Sequence, residues 1–197
     1  MLGGYEYVSK ADIEQSSHFL NYFLAGVNDA HRIDNKLALD CGAGIGRVTK
    51  HLLLNHFEQC EMVDVTESFI LKAKEYLGDV DAKRVPRFHV TGLQSFEPDE
   101  NKYDCIWMQW VLGYLDDKDL VEFFRRCKRA LKPRGVCVLK ENVSQREPEF
   151  DAVDSSYTRP RQAYLNAIHK AGMMLIRDEK QKKFPTELYE VRIMAFS

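Results

Sequence analysis

No two of the five cysteines are spaced as a CxxC pair, and none of the six histidines stands at zinc-finger distance from them. Cys41, Cys60, Cys105, Cys127 and Cys137 are odd in number and lie mostly inside apolar runs, which favours buried, reduced thiols in an intracellular protein over a disulfide or zinc framework. His51 and His56, five apart, diverge from one helical face and read as surface residues. No apolar run approaches the roughly 20 residues that span a bilayer. The first residues lack the basic and apolar regions of a signal peptide. A formal charge of -2 gives no reason to expect a nucleic acid or an anionic membrane as partner. Repeats, low-complexity tracts and Pro/Gly/Ser-rich linkers are also missing, so the 197 residues are expected to form a single domain, 1-197, opening with an N-terminal helical segment over 1-35. A monomer is expected.

What remains is the composition of an ordinary globular chain, 45% hydrophobic and 29% charged. Short apolar runs alternate with amphipathic ones. Strands are expected at 36-40, 60-65, 87-92, from 103, at 135-142, 173-179 and 188-196; helices at 46-57, 68-77, 120-131 and 161-172. Ser9 to Asp12 reads as a capping-box-like helix start, and Gly78 as a helix C-cap. Strands alternating with helices give a doubly wound, mostly parallel α/β sheet. The last two strands are too closely linked for a parallel crossover, so one must be reversed. The expected fold is thus a seven-stranded, Rossmann-like sheet with one antiparallel strand near its C-terminal edge.

The first strand runs into "LDCGAGIGRVTK" (39-50). Gly42, Gly44 and Gly46 follow GxGxG spacing, which is not the GxGxxG dinucleotide fingerprint, and no GK[ST] follows to hold a triphosphate. Asp64 closes the second strand, where an acid can accept both hydroxyls of an adenosine ribose. Asp40, under the loop, suits a cationic ligand, and Arg47 suits a ligand carboxylate. Adenosine, cation and amino acid together describe S-adenosylmethionine, with NAD as the nearest rival. Taken singly, Asp40 could cap the following turn and Arg47 could be a solvated helix residue. Leu93 and Gln94 follow the third strand, where the adenine would lie, and Gln109 ends the fourth, which faces donor and acceptor. After that strand comes "MQWVLGY" in place of an Asn/Asp-Pro-Pro-aromatic motif, which argues against a nucleobase or glutamine amide as methyl acceptor. No cluster of metal-binding carboxylates suggests a catechol.

"MLGGY", "LDCGAGIGRVTK", "MVDVTESF", "GLQSF", "IWMQWVLGYL" and "DAVDSS", in that order, resemble the protein α-N-terminal methyltransferases. That family methylates the free α-amine of proteins that begin, after methionine removal, with an Xaa-Pro-Lys-like sequence. The resemblance runs the length of the chain. It implies donor contacts from Gly42, Gly44, Arg47, Asp64, Val65, Thr66, Leu93, Gln94 and Gln109. It implies that Trp110 packs on the substrate proline and that Leu2, Asn142, Asp151, Asp154 and Ser156 meet the peptide. One carboxylate of the Asp151/Asp154 pair would take the third-position lysine; the other would orient the α-amine and accept its proton. Read from the residues alone, Trp110 is a core aromatic and "DSS" an N-cap or Asx-turn opening the last helix. Tyr114 stands where animal members carry a histidine in "QWVxGH". A phenol titrating near ~10 is a poor base, so Asp154 or water would take the proton, with Tyr114 beside the amine. Family members also carry an aromatic-bearing helix ahead of "MLGGY"; for a chain starting at that motif the expectation is either a trimmed sequence or a protein that has lost part of its lid, with weak donor retention. A nuclear or cytoplasmic address follows from such substrates. Two other readings are a methyltransferase of a small-molecule amine and a catalytically silent adaptor that binds the donor.

Overall fold

A computed structural model describes residues 6-25 and 31-197. A 3-10 turn at Glu6–Val8 leads into α1 (Ser9–Leu24), then β1 (Leu37–Cys41). A π-helical stretch, Thr49–Leu53, runs into the short α2 (Leu54–His56), followed by β2 (Gln59–Asp64), α3 (Glu67–Ala82) and β3 (Phe88–Val90). Next come β4 (Tyr103–Gln109), α4 (Asp117–Ala130) and β5 (Leu131–Ser144). The chain ends with β6 (Glu149–Asp151), β7 (Ser156–Pro160), α5 (Arg161–Lys170), β8 (Leu175–Lys180) and β9 (Glu190–Phe196).

The main sheet has the order β3-β2-β1-β4-β5-β9-β8. The first five strands are parallel, and β9 alone runs against its neighbours, β5 and β8. The seven-stranded, doubly wound sheet read from the sequence is therefore present, with its reversed strand one place from the edge. Both faces are covered, so successive strand residues serve opposite cores. Leu39, Ile106 and Cys137 pack with Phe123 and Phe124 of α4 and Ile168 of α5. Ala38, Trp107 and Val138 pack with Phe19 and Phe23 of α1 and Ala73 and Leu77 of α3. All five cysteines are buried free thiols.

Three local expectations change. Ser9 makes no capping bond; α1 continues from the preceding turn, Ser9 Oγ accepts from Arg47, and Asp12 is buried away from the helix start. Gly78 (φ 79°) does break the helical path after Leu77, but helix resumes to Ala82. The stretch "EFDAVDSS" opens no helix. It forms the β6–β7 hairpin, which extends the C-terminal end of β5 through Val143–Arg159 and Ser144–Pro160 pairing. Phe150 and Tyr157 pack across it with ring centroids 4.9 Å apart. Asp151 and Asp154 each accept the N–H two residues on, from Val153 at 2.8 Å and Ser156 at 3.0 Å. These Asx-type bonds serve a hairpin turn as well as a helix cap.

Candidate active site

The C-terminal ends of β1, β2, β3, β4 and β5 open onto one edge of the sheet, the side on which parallel sheets bind ligands. The glycine loop leaves β1 there. Gly42 has φ +70°, and a Cβ on it would sit 2.4 Å from Val111 Cγ2, so the turn after β4 presses directly on the loop backbone. Gly44 has φ +55° and nothing within 4 Å of where its Cβ would stand, so the loop presents bare backbone to open space. Its N–H donates to Asp64 Oδ2 at 2.8 Å, and Thr66 N–H donates to Asp64 Oδ1 at 2.8 Å. Asp64 thereby ties the loop to the β2–α3 turn while staying half-buried, with lone pairs left for a diol. Val65 beside it is 66% exposed, an apolar surface ready for a flat ring. The loop after β3 is pinned from below, where Arg126 Nη2 donates to the Leu93 and Gln94 carbonyls at 2.7 and 3.2 Å. Leu93 is buried and Gln94 exposed, its amide folded back over Gly92. Together these residues fit an adenosine.

Asp40 does not open onto this space. It is buried beneath the loop and accepts from Thr49 Oγ1 at 2.6 Å, close to the turn-capping alternative. Burial pushes its carboxyl up to about 6, against the opposing pull of Thr49 and Arg47. Arg47 is no solvated helix residue either: its side chain is 16% exposed and Nη1 pairs with Asp12 Oδ2 at 2.8 Å. Gln109 ends β4 with its amide fully engaged. Oε1 accepts from Trp107 Nε1 at 3.0 Å, and Nε2 donates to both Asp12 oxygens at 2.9 and 3.0 Å.

Trp110 follows with φ 53°, a conformation that non-glycine residues hold only when their surroundings impose it. Its N–H donates to the Lys140 carbonyl at 3.1 Å, and the Arg47 guanidinium lies 5.7 Å from its ring centroid. Half-buried, it is no core aromatic, and its buried Nε1 has no hydrogen-bond partner among the described residues. Beyond it Tyr114 is 57% exposed, and its hydroxyl donates to Asp154 Oδ2 at 3.2 Å. The hydrogen bond from Ser156 holds the Asp154 carboxyl below its ordinary range, with Tyr114 helping; burial and the Asp154 charge push the Tyr114 phenol up. Asp151 is exposed across the same hairpin, Ser156 is half-buried on β7, and Asn142 is half-buried on β5. Leu2, with the whole "MLGGY" motif, lies outside the described residues.

Sequence reading missed two charged residues here. Lys140 is completely buried and paired with Asp12. Glu141 is buried beside it, and its Oε1 accepts the N–H groups of Val111 and Leu112, both at 2.9 Å, which fixes the turn between Trp110 and Tyr114. The signal was present: a Lys-Glu pair closing the apolar run "VCVL" cannot be buried without partners.

The model of the family described as AdoMet dependent proline di-methyltransferase matches residues 1–197. Among curated proteins, N-terminal Xaa-Pro-Lys N-methyltransferase 1 of Bos taurus is 47% identical over 195 residues, 99% of this chain and 86% of the relative. The Homo sapiens protein of that name is 46% identical over 191 residues, 97% and 84% of the respective chains. Among solved structures, a SAM-dependent methyltransferase from Leishmania major superposes with a TM-score of 0.91 at 34% identity, covering 100% of this chain and 75% of that one. An S-adenosylmethionine-dependent methyltransferase from Clostridium acetobutylicum shares the fold, with a TM-score of 0.75 at 14% identity, covering 98% and 95%.

Proposed function

The chain belongs to the AdoMet dependent proline di-methyltransferase family, and from that premise we propose how its residues share the methylation of a protein's free α-amine. It is an S-adenosylmethionine-dependent protein N-terminal methyltransferase. Its substrates are proteins with an Xaa-Pro-Lys-like N-terminus exposed after methionine removal.

The donor, when bound, supplies a methyl group on a sulfonium, open to in-line displacement by a neutral amine. Gly42 and Gly44 give it backbone, Asp64 takes the ribose, and Val65, Thr66, Leu93 and Gln94 surround the base. Arg47 takes the carboxylate, and Gln109 sets the floor between donor and acceptor. On the other side Trp110 offers a rigid apolar face to the substrate's proline ring. Asp151 takes the third-position lysine, with Asn142 and Ser156 along the peptide and Leu2 at its edge. Asp154 and Tyr114 hold the α-amine. The amine would release its proton to water, its lone pair would form the N–C bond, and the electron pair of the breaking C–S bond would leave with the sulfur as a neutral thioether. With an α-amine pKa near ~8, roughly a tenth is already neutral at pH 7, so orientation matters more than strong base catalysis.

The observation that supports this reading is the approach of the Arg47 guanidinium to 5.7 Å from the Trp110 ring centroid, which sets the residue read as the donor's carboxylate partner beside the residue read as the proline platform. The exposed carboxylates of Glu147, Glu149, Asp151 and Asp154 along the hairpin favour a basic peptide and oppose nucleic acid or an anionic membrane surface. The enzyme acts as a monomer in the nucleus or cytoplasm, where free thiols persist. Mass spectrometry of a Ser-Pro-Lys-Arg peptide after incubation with enzyme and donor, beside an α-acetylated copy, tests the reaction. Methyl additions on the free peptide alone are expected. Methylation of the acetylated copy would move the acceptor elsewhere.

A further inference from the structure

Asp12 of α1 is fully buried and shared by partners from three separate segments. Arg47 Nη1 reaches Oδ2 at 2.8 Å, and Gln109 Nε2 reaches both oxygens. The Lys140 ammonium forms a close ion pair with Oδ1 and also donates to Ser16 Oγ at 2.9 Å and to the Asp12 carbonyl at 3.1 Å. Two of these three partners, Arg47 and Gln109, belong to the donor's binding residues as assigned above.

The way each is held is informative. Nη1 of Arg47 is spent on Asp12 and on Ser9 Oγ, while Nε and Nη2 have no hydrogen-bond partner among the described residues. One edge of the guanidinium is thus anchored inward and the other is left for a ligand. A guanidinium fixed on one edge meets a carboxylate with less ordering cost than a free one. Gln109 is likewise held in one amide orientation, oxygen to Trp107 and nitrogen to Asp12. The charges add up in the same sense. Lys140 offsets the charge of Asp12, so anchoring Arg47 to that carboxylate does not by itself neutralise it. Without Lys140, Asp12 would cancel the charge of Arg47.

We propose that Asp12 is a positioning residue for the methyl donor: it holds Arg47 in its receiving conformation and fixes Gln109 as the floor beside it, with Lys140 as the counter-charge that leaves Arg47 free to bind a carboxylate. This rests on the reading of Arg47 as the partner of the donor's amino-acid end. It also makes α1, rather than the glycine loop alone, part of the donor site.

The test uses the full chain. Replacing Asp12 alone leaves a buried ammonium unpaired and endangers folding, so the informative variant is Asp12→Leu/Lys140→Met, which exchanges the pair for apolar groups. Thermal unfolding establishes that it is folded, and Arg47→Met serves as the reference. S-adenosylhomocysteine affinity by calorimetry and the separate KM values for donor and peptide are the readouts. The double variant is expected to weaken S-adenosylhomocysteine and raise the donor KM about 10-fold, the scale of one charge-assisted contact, with the peptide KM nearly unchanged. A merely structural pair would alter the unfolding temperature without this split. If Arg47→Met weakens the donor and the folded double variant does not, the proposal is overturned while the donor site stands. If Arg47→Met leaves donor binding unaltered, the reading of Arg47 fails and the proposal falls with it.

Discussion

Asp154 and Tyr114 form a hydrogen-bonded pair, and for the role proposed for them at the substrate amine neither is tuned to be a base. The carboxyl is held below its ordinary range by Ser156 first and Tyr114 second, so it stays ionised at neutral pH. The phenol is pushed up by burial and by the Asp154 charge, so it stays protonated. Such a pair attracts and orients a cationic amine better than it removes a proton from it. Asp154→Asn keeps the shape and loses the charge, and should lower kcat/KM for an Xaa-Pro-Lys peptide about 10- to 100-fold, the scale of one charged hydrogen bond. Tyr114→Phe removes only the donor to an exposed carboxylate and should cost less than about 3-fold. Initial rates on one peptide decide it: an equal loss in both variants would make the Tyr114 hydroxyl the catalytic group instead.

The turn from Val111 to Leu115 carries Tyr114 and is clamped from two strands. Glu141 of β5 accepts two of its N–H groups, and Arg159 of β7 donates to the Leu112 and Leu115 carbonyls at 3.1 and 2.5 Å and to Asp117 at 2.9 Å. Arg159→Met leaves both carbonyls unpaired and frees β7, with its Ser156, from the turn. The peptide KM should rise about 10-fold while donor affinity stays constant, since each buried orphan costs about 1–3 kcal/mol locally. Glu141→Gln behaves differently because both N–H groups go to one oxygen, which an amide can supply. Burial raises the Glu141 carboxyl to about 7, so its contribution to stability is present at acidic pH and lost as pH rises through 7. Thermal unfolding should therefore find Glu141→Gln close to wild type near pH 5 and more stable near pH 8; the same difference at both values would refute this. The elements that matter were unequally legible. "LALDC", "YDCIWMQ" and "GVCVL" announce strands because a sheet covered on both faces needs continuous apolar runs. "EFDAVDSS" did not announce a hairpin, because its aspartates can satisfy a strand turn or a helix cap equally. The nearness of the glycine loop to Asp64 was legible from local spacing, and the Gly44 N–H does donate to that carboxylate. The bonds of Asp12 to Gln109 and Lys140 span 97 and 128 residues, and no local pattern carries them.

Across the whole molecule, the polar groups buried in the sheet set opposing pH trends. Glu61 of β2 accepts from Lys102 Nζ at 2.6 Å, Tyr103 Oη at 2.7 Å and His89 Nε2 at 3.1 Å, joining β2, β3 and the start of β4 under the α4 face. Burial alone would raise its carboxyl, but these three hydrogen bonds outweigh it and bring it down to about 2. A depressed carboxylate stabilises the fold fully above its ordinary range and loses that contribution as pH falls toward 2. Glu141 acts in the opposite sense between its ordinary range and 7, so the two windows do not overlap and their variants can be separated in one titration. Glu61→Gln should cost roughly 2 kcal/mol at pH 7, less than a fully enclosed pair because Lys102 keeps Asp99 as a second partner at 2.9 Å. It should also flatten the decline of the unfolding temperature between about pH 4.5 and 2. Both effects must appear together. A variant destabilised at pH 7 that keeps the wild-type acid slope would mean that other carboxylates drive acid unfolding and that Glu61 contributes packing alone.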